Sequence, residues 1–374
     1  MTLSPFLSQK FRFWAFVSMF LLVFVHGYNL ELRYLQPWTV PDEPLTFTSF
    51  TEYLFANGLF RFRIPILFII SGYLYALHDA EPNKQRIGKR VRSLLLPYLI
   101  WSAFGIALSY VFELFSYTNH LVVSSHVMQI DNTRVTIHEY HWYEILARWI
   151  FFPVSYQLWF IRVLLIYNLA YPLIKWCILN KAARIVLFSL ATLMWLATAG
   201  FILIEGEGLL FFSLGVWIQK TDFNITSSSR WTKPLPWAII FLLCAFVKTY
   251  LAFTGLQLMG GAAFQVITLL HKLTVLSGLI SCWYGLDGIV KWCMNRQWFV
   301  WLSAFSFMIY VMHAPLVAIL INGMFEWLNY MPGYRMMTFI ALPLMVIALC
   351  ILVGMMLRKI SPKLYGLLTG GRGL

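Results

Sequence analysis

The chain has 374 residues, of which 60% are hydrophobic and 11% are charged, and its formal net charge is +13. Roughly a quarter of the residues of a soluble domain are charged, so this composition excludes a water-soluble globular protein. Apolar runs of about 20 residues recur along the chain, which favours membrane-spanning helices over the short alternating strands of a membrane β-barrel. We predict an all-α, polytopic protein of the cell inner (plasma) membrane with about ten transmembrane helices, forming a single domain over residues 1–374.

Ten hydrophobic segments can be counted in the sequence. Most approach the length of about 20 residues that a helical span needs, but the sixth is shorter. The eighth carries His271 and Lys272 near its predicted start. The predicted limits are 11–30, 58–77, 94–115, 156–178, 184–204, 207–219, 235–255, 269–289, 299–321 and 336–357.

Basic residues are concentrated in every second connection between these segments. Because Lys and Arg collect in cytoplasmic loops, this pattern predicts that those connections and both chain termini lie in the cytoplasm. Contact with an anionic membrane surface explains the positive charge, so we expect membrane lipids and no nucleic acid among the partners. The residues concerned are Lys84, Arg86, Lys89, Arg90, Arg92, Lys175, Lys181, Arg184, Lys220, Arg230, Lys233, Lys291, Arg296, Arg358, Lys359 and Lys363.

Neither the cysteines nor the loop histidines predict a metal site. The five cysteines form no CxxC pair and lie in apolar segments or beside basic loops, so we expect no disulfide framework. His138 and His141 in the loop 116–155 could share one helical face, but no third ligand has suitable spacing. We interpret that loop as polar and solvated, and we expect no metal cofactor.

Polar residues of several segments share one predicted depth, in the outer half of the membrane, if each helix rises about 1.5 Å per residue. Charged groups inside a membrane usually face the protein interior because exposure to lipid is costly. This depth predicts a hydrated, arginine-rich cavity; the alternative is that each arginine extends to the lipid headgroups. The residues are His26, Arg61, Arg63, Gln157, Trp159, Arg162 and His313, with Glu205 and Glu207 in the adjacent outer turn.

These residue types favour two kinds of chemistry. A histidine beside a carboxylate can remove a proton from a hydroxyl group near neutral pH. Arginines can hold a thioester carbonyl, a developing oxyanion or a phosphate. The combination suits acyl transfer from a carrier to an alcohol, and it equally suits movement of an anionic glycan or lipid headgroup through the membrane. A non-catalytic membrane component of an envelope-assembly complex is a third hypothesis.

Six motifs occur in a fixed order over almost the whole chain. They are LLVFVHGYN around His26, RFRIPILFIISGYLYA from Arg61, KRVRSLLLPYLIWS from Lys89, QLWFIRVLL from Gln157, FFSLGVWI from Phe211 and LSAFSFMIYVMHAPLV from Leu302. This ordered set resembles the integral-membrane acyltransferase 3 family, whose members O-acylate surface polysaccharides, peptidoglycan, lipopolysaccharide and other acceptors. The resemblance implies transfer of an acyl group, usually acetyl, from acyl-CoA to a glycan or a lipid-linked glycan.

The resemblance also implies functions for individual residues. His26 matches the essential histidine of the first helix and would be the general base, assisted by Glu205 or Glu207. Arg61 matches the arginine before the PxxFxxSG motif, and His313 matches the histidine of the late IYxxH-P motif. Three arginines (Arg61, Arg63 and Arg162) would bind the thioester end or stabilise charge, and Trp159 and His313 would shape the pocket.

The chain departs from the family pattern at one position of the first segment. Many family members have an arginine about three helical turns before the essential histidine, where this chain has Ala15; either the nearest arginine, Arg12, takes over its function or this subgroup does without it. The acyl donor would be acetyl-CoA, with its phosphates bound by a basic cluster; the alternative function of that cluster is to set the topology. The cluster comprises Arg86, Lys89, Arg90 and Arg92.

Overall fold

The computed structural model describes residues 3–28 and 35–373, and these residues form helices without a β-sheet, which confirms the predicted all-α fold. The last two residues of the predicted segment 11–30 lie outside the described residues. The α-helices are α1 (Pro5–His26), α2 (Phe47–Tyr53), α3 (Arg63–Leu77), α4 (Asn83–Arg90), α5 (Leu96–Glu113), α6 (Ser116–Ser124), α7 (Trp142–Ile150), α8 (Trp159–Leu169), α9 (Tyr171–Leu179), α10 (Lys181–Leu196), α11 (Gly206–Lys220), α12 (Pro234–Met259), α13 (Ala262–Gly285), α14 (Asp287–Met294), α15 (Gln297–Ser303), α16 (Ser306–Leu328), α17 (Tyr334–Ile360) and α18 (Pro362–Thr369).

Several of these helices are long enough to cross a membrane, which confirms a polytopic membrane protein. Within the described residues, seven are sufficiently long and apolar, and an eighth forms if the bent pair Tyr156–Leu169 and Tyr171–Leu179, inclined at 61°, is one span. Each of the ten predicted segments has a helical counterpart. The counterparts of the fifth and sixth, α10 and α11, have only 16 and 15 residues, so length and apolarity select fewer spans than the ten predicted.

Several helical stretches begin earlier than the sequence predicts, among them the second span and α13. The second span begins at Phe47, where α2 continues through the π-helix Leu54–Leu59, rather than at residue 58. Helix α13 begins at Ala262 rather than at residue 269, so His271 and Lys272 are buried well inside a helix. In both cases polar residues interrupt the apolar run and conceal the true start.

The chain divides into two compact units. Unit 1 comprises Met1–Ser18, Gln36–Arg90 and Val163–Ser303, and unit 2 comprises Met19–Leu35, Val91–Arg162 and Ala304–Leu374. The division passes through α1. The assignment of residues 1–374 to a single domain stays a prediction.

Helices α3 and α11 of unit 1 approach each other through two glycines. A Cβ atom on Gly72 would overlap the carbonyl oxygen of Phe212, and a Cβ atom on Gly215 would overlap the carbonyl oxygen of Ile69. Any other residue would force the two backbones apart. This contact explains why the second and fifth motifs of the sequence each contain a glycine at these positions.

One carboxylate of unit 1, that of Asp79, joins three basic residues from three connections predicted to be cytoplasmic. It lies 3.2 Å from Arg86, 2.7 Å from Lys175 and 2.8 Å from Lys220. Burial alone would raise its pKa, but hydrogen bonds from the two lysines outweigh this and lower the pKa of Asp79 to about 2. The meeting of three basic segments supports their predicted location on one side of the membrane.

In unit 2, the region 116–155, which was predicted to be a solvated loop, forms a small apolar core with α16. Helices α6 and α7 form there, and the core is built from eight buried apolar residues. The buried carboxylate of Glu113 accepts hydrogen bonds from the backbone N–H groups of Ile137 and His138 over 2.8 and 3.3 Å. The core residues are Leu121, Val122, Val127, Met128, Ile137, Val154, Ala318 and Ile319.

Candidate functional site

Unit 2 brings two of the predicted histidines into contact. His26 is the last residue of α1, and its ring centroid lies 5.3 Å from that of His313, with 27° between the ring planes. The Tyr156 ring meets the His26 ring edge to face at 4.8 Å. Nδ1 of His313, which is fully buried, lies 2.9 Å from the carbonyl oxygen of Ile309. Because a carbonyl only accepts, Nδ1 carries a hydrogen and the neutral ring has its lone pair on Nε2.

A kink in α16 directly follows His313. Ala314 has non-helical dihedral angles (φ −111°, ψ 137°), and Pro315 has no N–H to donate to the helix. The side-chain amide of Gln157 satisfies the carbonyl oxygens exposed by this kink, at 3.0 Å for Val311 and 2.9 Å for Ala314. The sequence placed Gln157 near this level, and the structure shows that it bonds to the kinked turn.

Trp159 and Arg162 occupy the first turn of α8 and are both half-buried. The Trp159 ring contacts that of Phe160, with centroids 6.2 Å apart. Arg162 lies beside the hydroxyl of Tyr98, which donates to the carbonyl oxygen of Ile150 over 2.7 Å. The assignment of Trp159 and Arg162 to substrate binding stays a prediction.

In unit 1, Arg61 lies at a break in the second span, between the π-helix Leu54–Leu59 and α3. Its Nε and Nη2 atoms donate to Oδ1 of Asn57 over 2.9 and 2.6 Å. Asn57 is fully buried, and its own amide nitrogen donates to the Tyr53 hydroxyl over 2.8 Å. A buried partner thus holds the Arg61 guanidinium inside the unit, which argues against extension to the headgroups. Single π-turns of this kind are frequent at functional sites.

Two buried basic residues beside Asn57 received no function from the sequence. Nζ of Lys248 donates to the backbone carbonyl of Asn57 and lies 2.9 Å from Nδ1 of His271. Carbonyl groups at a helix end lack helical partners. The break after the π-helix therefore leaves the carbonyl oxygen of Asn57 free to accept from Lys248. The signal in the sequence was a lone lysine within the apolar α12, since such a residue usually faces the protein interior.

Glu205 and Glu207 lie at the start of α11. The Glu205 carboxylate caps the helix by accepting from the N–H groups of Glu207 and Gly208 over 3.0 and 2.7 Å. The Tyr167 hydroxyl donates to the Glu205 carbonyl oxygen over 2.7 Å. Glu207 accepts from Nε1 of Trp195 over 3.3 Å. The capping bonds explain the orientation of the Glu205 carboxylate, and its catalytic function stays a prediction.

These acidic residues belong to a mixed-charge cluster in the interior of unit 1. Arg61, Arg63 and Lys272 are each close enough to Glu207 to interact with it through charge. Arg63 is buried, and its Nη1 donates to the carbonyl oxygen of Phe60 over 2.8 Å. The structure therefore brings together the two arginines and the two carboxylates that the sequence placed at one depth, and it adds Lys272.

Arg86, one of the four predicted CoA-binding residues, is already bound within the fold. It donates to the Asp79 carboxylate over 3.2 Å and to the Tyr75 carbonyl oxygen over 2.7 Å. Its guanidinium also lies over the rings of Tyr75 and Tyr171, at 4.1 and 4.5 Å. These contacts use two donor atoms and the guanidinium surface of the side chain, and they indicate a structural function.

The other three basic residues of that cluster are more accessible. Lys89 is exposed and forms a salt bridge of 2.7 Å with Glu81. Arg90 is half-buried, and Arg92 is exposed. A surface ion pair of this type contributes little stability, so a phosphate can compete for Lys89.

Arg12, the nearest arginine to the position of Ala15, anchors α1 to α15. Its Nε donates to the Ser303 hydroxyl over 2.7 Å, and its Nη2 donates to the Val300 carbonyl oxygen over 2.6 Å. It precedes His26 by nearly four helical turns. These bonds assign Arg12 to helix packing.

Among residues 3–28 and 35–373, no group of three or more His, Cys, Asp or Glu side chains could hold a metal ion. His138 lies 2.6 Å from the Glu113 carboxylate and stacks on Tyr110 at 4.3 Å. His141 precedes α7 and stacks on Tyr143. The two histidines are thus engaged in separate contacts.

Comparisons with known proteins indicate the family. A family model described as an acyltransferase domain matches residues 12–356. The succinoglycan biosynthesis protein ExoH of Rhizobium meliloti (strain 1021) is 25% identical over 323 residues, covering 84% of this chain and 80% of that protein. The probable poly-beta-1,6-N-acetyl-D-glucosamine export protein of Staphylococcus aureus (strain MSSA476) is 22% identical over 334 residues, covering 86% of each. No solved structure matches the chain.

Proposed function

Because the chain belongs to the acyltransferase 3 family, as its ordered motifs predicted, we propose that it is an O-acyltransferase of the inner membrane. It moves an acyl group, acetyl in the simplest case, from acyl-CoA to a hydroxyl group of a cell-surface glycan or a lipid-linked glycan. Both relatives are named for a polysaccharide, succinoglycan in one case and poly-N-acetylglucosamine in the other, which supports a glycan acceptor.

The contact between His26 and His313 is the observation that carries this proposal. A neutral histidine can accept a proton from a hydroxyl group near neutral pH. His26 is the general base, and His313, fixed by its bond to Ile309, positions the His26 ring. A buried ring that is locked in one tautomer preserves the orientation that proton transfer requires.

The proposed reaction has two steps. His26 removes the proton of the acceptor hydroxyl as the hydroxyl oxygen attacks the thioester carbonyl, which forms a tetrahedral oxyanion. The carbon–sulfur bond then breaks, the new ester is released, and the CoA thiolate takes the proton from His26. We assign substrate binding and stabilisation of the oxyanion to Arg61, Arg63 and Arg162, because guanidinium groups donate strong hydrogen bonds to such oxygens. We assign the CoA phosphates to Lys89 and Arg92, which are exposed, and to Arg90, which is half-buried.

Purified full-length protein in nanodiscs, supplied with radiolabelled acetyl-CoA and an envelope glycan fraction, tests the proposal. We expect label in the glycan and release of CoA. His26→Ala should lower both by about a hundredfold or more, since a general base contributes roughly 10²- to 10⁴-fold. His120→Ala, which alters a histidine whose side chain is 60% exposed, is the matched control. Transfer by His26→Ala at the wild-type rate would contradict the assignment.

The export function named for the Staphylococcus aureus relative favours one second candidate, a transporter or flippase for an anionic glycan or lipid. The buried arginines suit an anionic cargo as well as a thioester. Reconstituted vesicles distinguish the two functions. Movement of the labelled glycan across the vesicle membrane without acetyl-CoA, and with no CoA release when it is added, would replace the acyltransferase with the transporter.

A further inference from the structure

Unit 1 contains a cavity of about 600 Å³, open on one side, beside the first half of α13. Its volume is typical of sites for small molecules, which range from about 300 to 1,000 Å³. The wall is mainly apolar, and the predicted orientation of the chain places this half of α13 in the outer half of the membrane. The apolar lining residues are Trp38, Leu196, Phe264 and Leu269.

The polar lining comes from three residues of α13, and two of them are already bonded. The Thr268 hydroxyl donates to the carbonyl oxygen of Phe264 over 2.7 Å. With the Gln265 amide oriented so that its nitrogen faces the backbone carbonyl groups, this nitrogen donates to the carbonyl oxygen of Gly261 over 2.7 Å. The third residue, Lys272, is therefore the group that can recognise a polar part of a ligand.

Lys272 is only 4% exposed, yet it lines the cavity. Its ammonium lies 5.2 Å from the ring of Trp195, and it interacts through charge with Glu205 and Glu207. Those carboxylates take their hydrogen bonds from elsewhere, Glu205 from the start of α11 and Glu207 from Trp195. No described residue offers the Lys272 ammonium a hydrogen bond or a salt bridge.

An ammonium group has three donors, and one that reaches an apolar cavity without a protein acceptor lacks the pairing that a charge in such surroundings needs. In a cavity with these walls, a ligand can supply the missing acceptor. A hydrocarbon chain packs against the apolar lining as it does against lipid tails, and a carboxylate or phosphate oxygen forms a charge-assisted bond with the ammonium. We propose that this cavity binds an amphipathic anion, with its chain along α13 and its anionic oxygen on Lys272. This site goes beyond the proposed acyl transfer and does not depend on it.

Binding of radiolabelled palmitate to the full-length protein in detergent tests the proposal. Hexadecyl phosphate should compete with palmitate, whereas uncharged hexadecanol should compete about tenfold less well or worse. A preference of palmitate over hexadecyl phosphate, or the reverse, identifies the head group. Equal competition by hexadecanol would overturn the proposal, because charge recognition would then be absent.

Variants test the two parts of the site separately. Lys272→Met should weaken palmitate binding about tenfold or more, and Lys272→Arg should restore it, while Lys233→Met, at an exposed position, should bind normally. Leu269→Trp fills the cavity and should weaken palmitate and hexadecanol alike. Unchanged palmitate binding by Lys272→Met would overturn the proposal. If that variant does not fold, unchanged palmitate binding by Leu269→Trp would overturn it instead. Acetyl transfer by the same samples reports separately on the proposed function.

Discussion

The side-chain amide of Gln157 donates a hydrogen bond of 2.9 Å to the carbonyl oxygen of Ala314, the residue at which α16 kinks. Gln157 adjoins Tyr156, and Ala314 adjoins His313. The rings of Tyr156 and His313 both contact that of His26. The bond therefore joins the two elements that surround the proposed general base.

Replacement of this amide tests its function as a positioning group. We expect Gln157→Leu to leave two buried carbonyl oxygens without a donor, which lowers the free energy of unfolding by about 1–3 kcal/mol. Acetyl transfer should fall about tenfold or more, and the pH profile of transfer should shift because the His26 surroundings change. Gln85→Leu, at an exposed position of α4, should change neither quantity. A stable Gln157→Leu variant with normal transfer and an unshifted profile would show that the bond serves the fold alone.

The close approach of α3 to α11 gives a second prediction. In Gly72→Ala, the added methyl group would overlap backbone atoms of Phe212, and overpacking of this type lowers the free energy of unfolding by about 1–3 kcal/mol. Gly88→Ala is the matched control, since a Cβ there meets nothing within 4 Å. Because alanine favours helix, this control should gain up to about 1 kcal/mol. Equal thermal unfolding midpoints for both variants would contradict the close contact.

The all-α membrane fold was predictable because long apolar runs are a strong signal of helical spans. The candidate residues His26, His313, Arg61 and Arg63 were predictable because ionisable groups inside apolar segments are conspicuous. The network around Asn57 was not, since its partner Lys248 lies 191 residues away in sequence and no local pattern links the two. The π-helix Leu54–Leu59 was also missed, because polar residues interrupt the apolar run before residue 58.

Region 116–155 shows a different limit. Its polar residues and four histidines favour a solvated loop in the sequence. The structure assembles those residues into a core with α16, and Glu113 fixes the backbone at Ile137 through a bond of 2.8 Å. Because Glu113 binds a backbone group 24 residues away, this contact leaves no local signal in the sequence.

The predicted orientation can be tested by chemical labelling. Single cysteines at Asp42, Asn132 and Asn224, all exposed positions, are introduced into a variant that lacks the five native cysteines. The basic connections predict that an impermeant maleimide labels the first two in intact cells and the third only after permeabilisation. The reverse pattern would invert the topology and remove the argument from shared depth.

The Asp79 cluster predicts a pH dependence of stability. The pKa of Asp79 is lowered from 3.8 to about 2, so its contribution is fully present above pH 3.8 and is lost as the pH falls through about 2. Asp79→Asn should lower the free energy of unfolding by about 1–2 kcal/mol at pH 7. The difference from wild type should shrink steadily at acid pH in detergent unfolding experiments. A difference that is the same at pH 7 and near pH 2 would exclude the charge of Asp79 as its cause.

The bond between Lys248 and His271 predicts energetic coupling inside unit 1. Lys248→Met removes the donor for the Asn57 carbonyl oxygen and for Nδ1 of His271, so it should lower the free energy of unfolding by about 1–3 kcal/mol. The double variant Lys248→Met/His271→Leu should cost less than the sum of the single variants, with a coupling of about 0.5–3 kcal/mol. Lys233→Met controls for the loss of a surface charge. Strict additivity in a double-mutant cycle would mean that the two side chains act independently, because a shared hydrogen bond can be lost only once.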